Sequence, residues 1–257
     1  MWRRLQRIKR DLKGDVAISD IPANLHDLYE IHEWRHASAV LTKDFPQEWA
    51  EICEVLSSFR LLKSRIVVPG GSKSLIAAAI DGPLTKLGWE EREFDTAIVV
   101  DGETRESPTH KVDCFKGKVG LEIEWNNKDP FFDRDLNNFR LLFELRALSV
   151  GVIVTRCDEL QAIFNTLGKG KSYGNSTTHM SKLLPRLNGG GGGGCPVLVF
   201  GIRSKLYVED VPNEEVSVVV EEFKASQKSK WKTFGGTLTR YIDKSFLLKA
   251  PTTEEES

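Results

Sequence analysis

Asp113, Glu122 and Glu124 are the residues whose types and spacing most directly suggest chemistry. Glu122 and Glu124 lie two apart, so on an extended chain both carboxylates leave one face while Ile123 turns to the other. Asp113 precedes Glu122 by nine positions, across a short Lys116-Gly117-Lys118 turn, and a hairpin of that length brings the two together. Hard oxygen ligands of this kind suit Mg2+, which keeps several of its waters. In such a site Asp113 and Glu122 are the metal ligands and the Ile123 carbonyl completes the shell. Glu124 then orients or deprotonates a water that attacks a phosphate. Spacing alone leaves a second reading open, in which a half-exposed strand carries alternating, solvated acids.

The elements that must position these acids follow from periodicity. Leu25–Ser64 reads as helical with a break at Phe45-Pro46, Pro46 opening the second helix and Asp44 capping it. A short apolar run, Arg65–Gly71, stops at Pro-Gly-Gly. Ser72–Gly88 is again helical, with Gly88 as a left-handed cap. From Trp89 the period becomes two: a strand over Glu91–Asp101 ends in the turn Asp101-Gly102, and Lys111–Phe115 with Val119–Trp125 makes the acid hairpin. Asp135–Ser149 reads as an amphipathic helix with Leu136, Phe139 and Leu142 inward and Arg134, Arg140 and Arg146 solvated; a dimer-forming helix is the other reading. Val150–Thr155 suits a strand buried on both faces. A helix (Cys157–Leu167), a polar loop (Gly168–Thr178), a mixed stretch (Ser181–Asn188), six glycines (Gly189–Gly194) and a strand (Pro196–Ile202) follow. The class is therefore α/β, a mixed central β-sheet flanked by helices.

Bulk properties set limits. The 257 residues are 40% hydrophobic and 28% charged, which is ordinary globular composition, and no apolar run reaches membrane-spanning length. The net charge of −1 means that any phosphate contact must come from local clusters, of which Arg3–Lys13 and Lys224–Lys232 qualify. We divide the chain into a basic N-terminal extension (1–20), read as a short amphipathic helix, a single domain (21–250), and a disordered acidic tail (251–257). Four scattered cysteines without a C-x-x-C pair argue against a zinc ribbon and for reduced thiols in the cytoplasm. His32-Glu33-Trp34-Arg35-His36 lacks the further ligand of a zinc site and is read as structural.

Asp113 followed by Glu122-Ile123-Glu124 resembles the variant PD-(D/E)xK motif of the BglII/BstYI restriction endonucleases, whose last position is Gln or Glu in place of Lys. Leu87-Gly88-Trp89, Val112-Asp113-Cys114-Phe115, Val150-Gly151-Val152 and Pro196–Ile202 fall in that family's order and spacing, so the resemblance covers roughly Glu30 to Arg203. It implies a restriction-endonuclease-like fold and a type II enzyme that cuts both strands of a short palindrome in duplex DNA. It also implies a homodimer, 5′-staggered ends, a site with a GATC core, and a methyltransferase in the same system that guards the site without forming a stable complex. A polar residue upstream of the catalytic aspartate is usual there, and Glu93 or Asp95 can fill that role.

Two segments suit base and phosphate contacts. Asn126, Asn127 and Lys128 leave the acid strand directly, and Asn can bond bidentately to adenine. Lys171, Ser172, Tyr173, Asn175, Ser176, Thr177 and Thr178 form the second, in a region that the resemblance places near DNA. The glycine run follows no strand and opens no helix, so it is read as a flexible connector, not a dinucleotide site. Two other functions stay in view: a repair or defence nuclease of relaxed specificity, and a non-catalytic DNA-binding relative.

Overall fold

The structure, a computed structural model, describes residues 21–70, 74–106 and 109–228. The basic 1–20 segment, the acidic tail and the far end of the Lys224–Lys232 cluster lie outside the described residues. Strands β1 (Tyr29–Trp34), β3 (Glu90–Arg92), β6 (Val112–Lys116), β7 (Val119–Ile123), β8 (Val150–Arg156) and β9 (Val197–Ile202) build one sheet in the order β1-β9-β8-β7-β6-β3, while β2 (Leu61–Leu62) pairs apart from it with β10 (Tyr207–Val208). The β7-β8 and β8-β9 pairs are parallel and the rest antiparallel, so the sheet is mixed. The three central strands are buried along their whole length, which matches their β-branched composition.

Helices cover both faces. On one, α1 (Ala23–Leu28), α2 (Ala37–Asp44), α3 (Pro46–Ser58), α5 (Leu75–Lys86) and α7 (Leu160–Thr166) pack Leu25, Leu41, Ile52, Ile80 and Phe164 against Leu121, Val152 and Phe200. On the other, α6 (Phe131–Glu144) and α8 (Met180–Asn188) bury Phe132, Phe139, Leu183 and Leu187 against Phe115, Ile153 and Val199. The acid hairpin therefore lies between two cores, held rigidly from both sides.

Several local expectations change. Tyr29–Trp34 is not helical but the edge strand β1, in register with β9 from Tyr29↔Ile202 to Trp34↔Val197; sheet pairing overrides a local helical period. Arg35 and His36 then take left-handed backbone (φ 55° and 56°), so His32 and His36 share no helix face. Pro46 does open α3, but Phe45 is the cap residue and Asp44 closes α2. The run after Ser64 contains a short helix, α4 (Lys63–Val67). The strand expected over Glu91–Asp101 is two, since β4 (Ala97–Val100) leaves β3 to pair with β5 (Glu103–Glu106) through the Asp101-Gly102 turn. Ser181–Asn188 belongs to α8. The glycine run is a series of hydrogen-bonded turns packed on α6: a Cβ at Gly193 would stand 2.6 Å from Arg140 Cγ, so a side chain there would have to displace Arg140. A loose connector it is not.

Candidate active site

The β6-β7 hairpin pairs Lys116↔Val119, Phe115↔Gly120 and Cys114↔Leu121, and one further step of this register sets Asp113 opposite Glu122. There the carboxylates take over from backbone partners. The Ile123 N–H donates to Asp113 Oδ2 (2.9 Å), and the Asp113 N–H donates to Glu122 Oε2 (3.4 Å). Each acid is thus oriented by the strand that carries the other. The hairpin is moored at its turn by Lys116, whose Nζ donates to both Glu51 oxygens (2.6 and 2.8 Å) and to the Leu87 carbonyl (2.8 Å). Trp89 Nε1 donates to the same Glu51 (2.7 Å), so α3, the end of α5 and the hairpin share one half-buried knot.

Glu122, Glu124 and a fourth acid, Asp135, are only 1%, 2% and 1% exposed, while Asp113 is half-buried. Burial, reinforced by the negative charges of Asp135 and Asp113, raises the Glu122 pKa well above the ordinary carboxylate range. Burial and the negative charge of the neighbouring Asp135 raise that of Glu124 as well. Arg134 is the cation beside them: it bonds Asp135 Oδ1 through Nε (2.9 Å) and Nη2 (2.8 Å), reaches Glu124 Oε1 (3.5 Å), and lies over the Phe131 ring. It is not simply solvated. Its guanidinium is set against three buried acids and the half-buried Asp113, an arrangement short of positive charge.

Asp135 went unread in the sequence, although a signal was there. It sits at helical steps from Phe132, Phe139 and Leu142, so the core-facing stripe of α6 contains one carboxylate. A charge in that position is seldom buried unless it is paired. Glu93 and Asp95, by contrast, are exposed between β3 and β4. The upstream acids that share a cleft with Asp113 are Asp81 and Glu91.

The donor set fits a hard divalent cation. Glu122 Oε1 is buried without a hydrogen-bond partner, and the surrounding acids are desolvated, so a cation would relieve both costs. Among the described residues no three His, Cys, Asp or Glu side chains converge as a ready-made ligand group. Two carboxylates with one carbonyl need none. The Ile123 carbonyl accepts one bond, from the Trp125 N–H (3.1 Å), and keeps a second lone pair.

The two loops singled out for DNA contact are hydrogen-bonded to each other. Asn127 donates through its N–H to Thr178 Oγ1 (3.2 Å) and accepts from the Thr178 N–H (2.9 Å). Lys128 bridges to Thr177, and the Asp129 N–H donates to the Ser176 carbonyl (3.1 Å). Lys128, Lys171, Ser172, Asn175 and Ser176 are exposed, and Asn126 and Asn127 are half-buried. Tyr173, Thr177 and Thr178 are under the surface instead. Tyr173 stacks on Phe164 at 4.1 Å, Thr177 accepts from the buried Arg156, and Thr178 Oγ1 donates to the Glu124 carbonyl. Those three carry the loop, and of them only Tyr173 also lines the neighbouring cleft. A cleft of about 660 Å3 opens beside these loops, with Asp113, Asn126 and Asn127 on one side and Arg65, Ser74 and Lys169 among its other lining residues.

A family model described as Restriction endonuclease BglII/BglIII matches residues 29–202. The match runs from the first residue of β1 to the last of β9, two residues that are register partners, and so spans the whole central sheet and the acid hairpin. No curated protein matches the chain. No helix among the described residues is long and apolar enough to cross a membrane.

Proposed function

The chain belongs to the BglII/BglIII restriction endonuclease family, and from that premise we propose a Mg2+-dependent type II enzyme whose active site is Asp113, Glu122 and Glu124. The observation that carries the site is the reciprocal bonding of Asp113 and Glu122 across adjacent strands, beside an unsatisfied buried carboxylate oxygen. Asp113, Glu122 and the Ile123 carbonyl would hold the ion. When bound, magnesium supplies charge neutralisation at the scissile phosphate and lowers the pKa of the attacking water. Glu124 orients that water and takes its proton; one phosphodiester P–O bond breaks as the water oxygen joins phosphorus, with no covalent enzyme intermediate. Asn126, Asn127 and Lys128, with Lys171, Ser172, Asn175 and Ser176 across the paired loop, face the duplex. A homodimer in the cytoplasm sets two such sites on a palindrome by its two-fold axis, leaving 5′ staggered ends, with a GATC core as the first site to test and a methyltransferase guarding it.

Incubation of phage DNA with the protein and Mg2+ is expected to give discrete fragments whose sequenced ends share one palindrome and one stagger. A smear favours the relaxed repair or defence nuclease. Intact DNA in Mg2+ and in Mn2+, with binding retained, favours the non-catalytic relative.

The cleft adds a second expectation. Arg65 and Lys169 come from α4 and from the loop after α7, yet line one cleft with Asp113. As phosphate contacts, each should lower the salt dependence of binding by about one unit in the slope of log K against log salt when changed to Ala. A lost affinity with an unchanged slope would assign them to packing instead.

A further inference from the structure

We propose that Asn127 is a latch on Glu124, a positioning residue that keeps the carboxylate from the attacking water until a base is read; this rests on the proposed active site. Asn127 Nδ2 donates to Glu124 Oε2 at 2.9 Å. Arg134 lies at the other oxygen, Oε1, at 3.5 Å, and the carboxylate is 2% exposed. Lone pairs remain on both oxygens, but the carboxylate is buried and does not line the cleft, so a water from the cleft can reach it only when Asn127 gives way.

The partners differ in their freedom to move. Arg134 is bonded twice to buried Asp135 and lies on Phe131. Of Asn127, Arg134 and Asp135, only Asn127 also lines the cleft that contains Asp113. Glu124 itself does not line it, so Asn127 stands between the cleft and the carboxylate.

The backbone around Asn127 is held from two sides, whereas the bond to Glu124 is what holds its side chain. Asn126 takes the left-handed conformation (φ 62°), and Thr178 bonds both the N–H and the carbonyl of Asn127. Thr178 Oγ1 also donates to the Glu124 carbonyl, so the strand end and the second loop cannot drift apart. Only the carboxamide is left to turn. A carboxamide that reads a base edge with both its nitrogen and its oxygen must face the duplex, and so it leaves Glu124 Oε2. Recognition at Asn127 and release of Glu124 are then the same rotation. A wrong base leaves the carboxamide on Glu124, and the bound duplex is cut only slowly.

This predicts a gain as well as a loss. The test is single-turnover cleavage with enzyme in saturating excess, on the site mapped from wild-type digests and on duplexes that differ from it by one base pair. Asn127→Ala should cut the altered duplexes about tenfold faster than the wild type does, equivalent to about 1.4 kcal/mol, while its rate on the mapped site falls. Asn127→Ser should show the same increase, which guards against a loop defect peculiar to one variant. In a Glu124→Gln background the increase should vanish, a result that a purely structural role would not produce. Rates on altered duplexes at or below the wild-type value for both variants would make Asn127 a plain DNA contact and overturn the latch. A wild type that yields no discrete fragments would instead overturn the nuclease reading, and the latch with it.

Discussion

Asp113→Asn is expected to lower single-turnover cleavage of duplex DNA by at least about a thousandfold, since loss of a metal ligand removes several kcal/mol of charge stabilisation. Specific binding, measured by gel shift in Ca2+, should stay within a few-fold of the wild type. The asymmetry follows from what the carboxylate does in the fold. Asp113 Oδ2 accepts one backbone N–H, from Ile123, and the amide oxygen of Asn accepts the same bond. Position is kept, and the charge is lost. Glu122→Gln should behave alike, because its backbone contact is the long 3.4 Å bond from Asp113 and its other oxygen has no partner to lose. Removing either charge from a crowded set of acids should if anything stabilise the metal-free protein, so a cleavage defect accompanied by unfolding would point away from the active-site role. Cleavage near the wild-type rate by Asp113→Asn would refute the assignment outright. Glu124→Gln should be milder, since Gln can still orient a water.

The acid hairpin was legible because it depends on two local rules, the period of two along a strand and a short turn, and both hold at Lys116↔Val119 and onward. Gly88 and Asp101-Gly102 were legible for a similar reason: a left-handed backbone has few residues to choose from, and the observed φ values of 89°, 52° and 85° agree. The edge strand β1 was not, because Tyr29–Trp34 satisfies a helical step equally well and only its partner β9, far along the chain, decides between the two. The same distance hid Asp135. Its carboxylate looks like an ordinary surface charge until α6 is docked on the sheet and turns it toward Glu124. The candidate site was thus half visible: the acids proposed as metal ligands lie on one local hairpin, whereas Arg134, Asp135 and the pairing of the two loops proposed to meet DNA depend on tertiary packing.

That docking depends on two glycines that no periodicity marks. Gly120 and Gly151 are register partners on β7 and β8, and both lie against Phe139 of α6. A Cβ at Gly151 would stand 2.5 Å from Phe139 Cε2, and one at Gly120 would be 2.6 Å from Leu148 Cδ1 and 3.3 Å from Phe139 Cε1. The missing side chains let the ring lie flat on the strands, which draws α6 close enough for Arg134 and Asp135 to reach Glu124. Gly151→Ala should therefore destabilise the protein by about 3 kcal/mol, the upper part of the range for overpacking a filled core, because Phe139 is fully buried and has no exposed end to swing away. Urea denaturation should show a lower midpoint with an unchanged slope. Phe139→Leu alone should also destabilise, by opening a void, yet in the Gly151→Ala background it should restore stability by making room for the methyl group. Strictly additive losses in that double-mutant cycle would contradict the contact. If α6 is set by this contact, the repacked double variant should fold but cleave DNA more slowly than the wild type, because a shifted helix carries Arg134 and Asp135 with it.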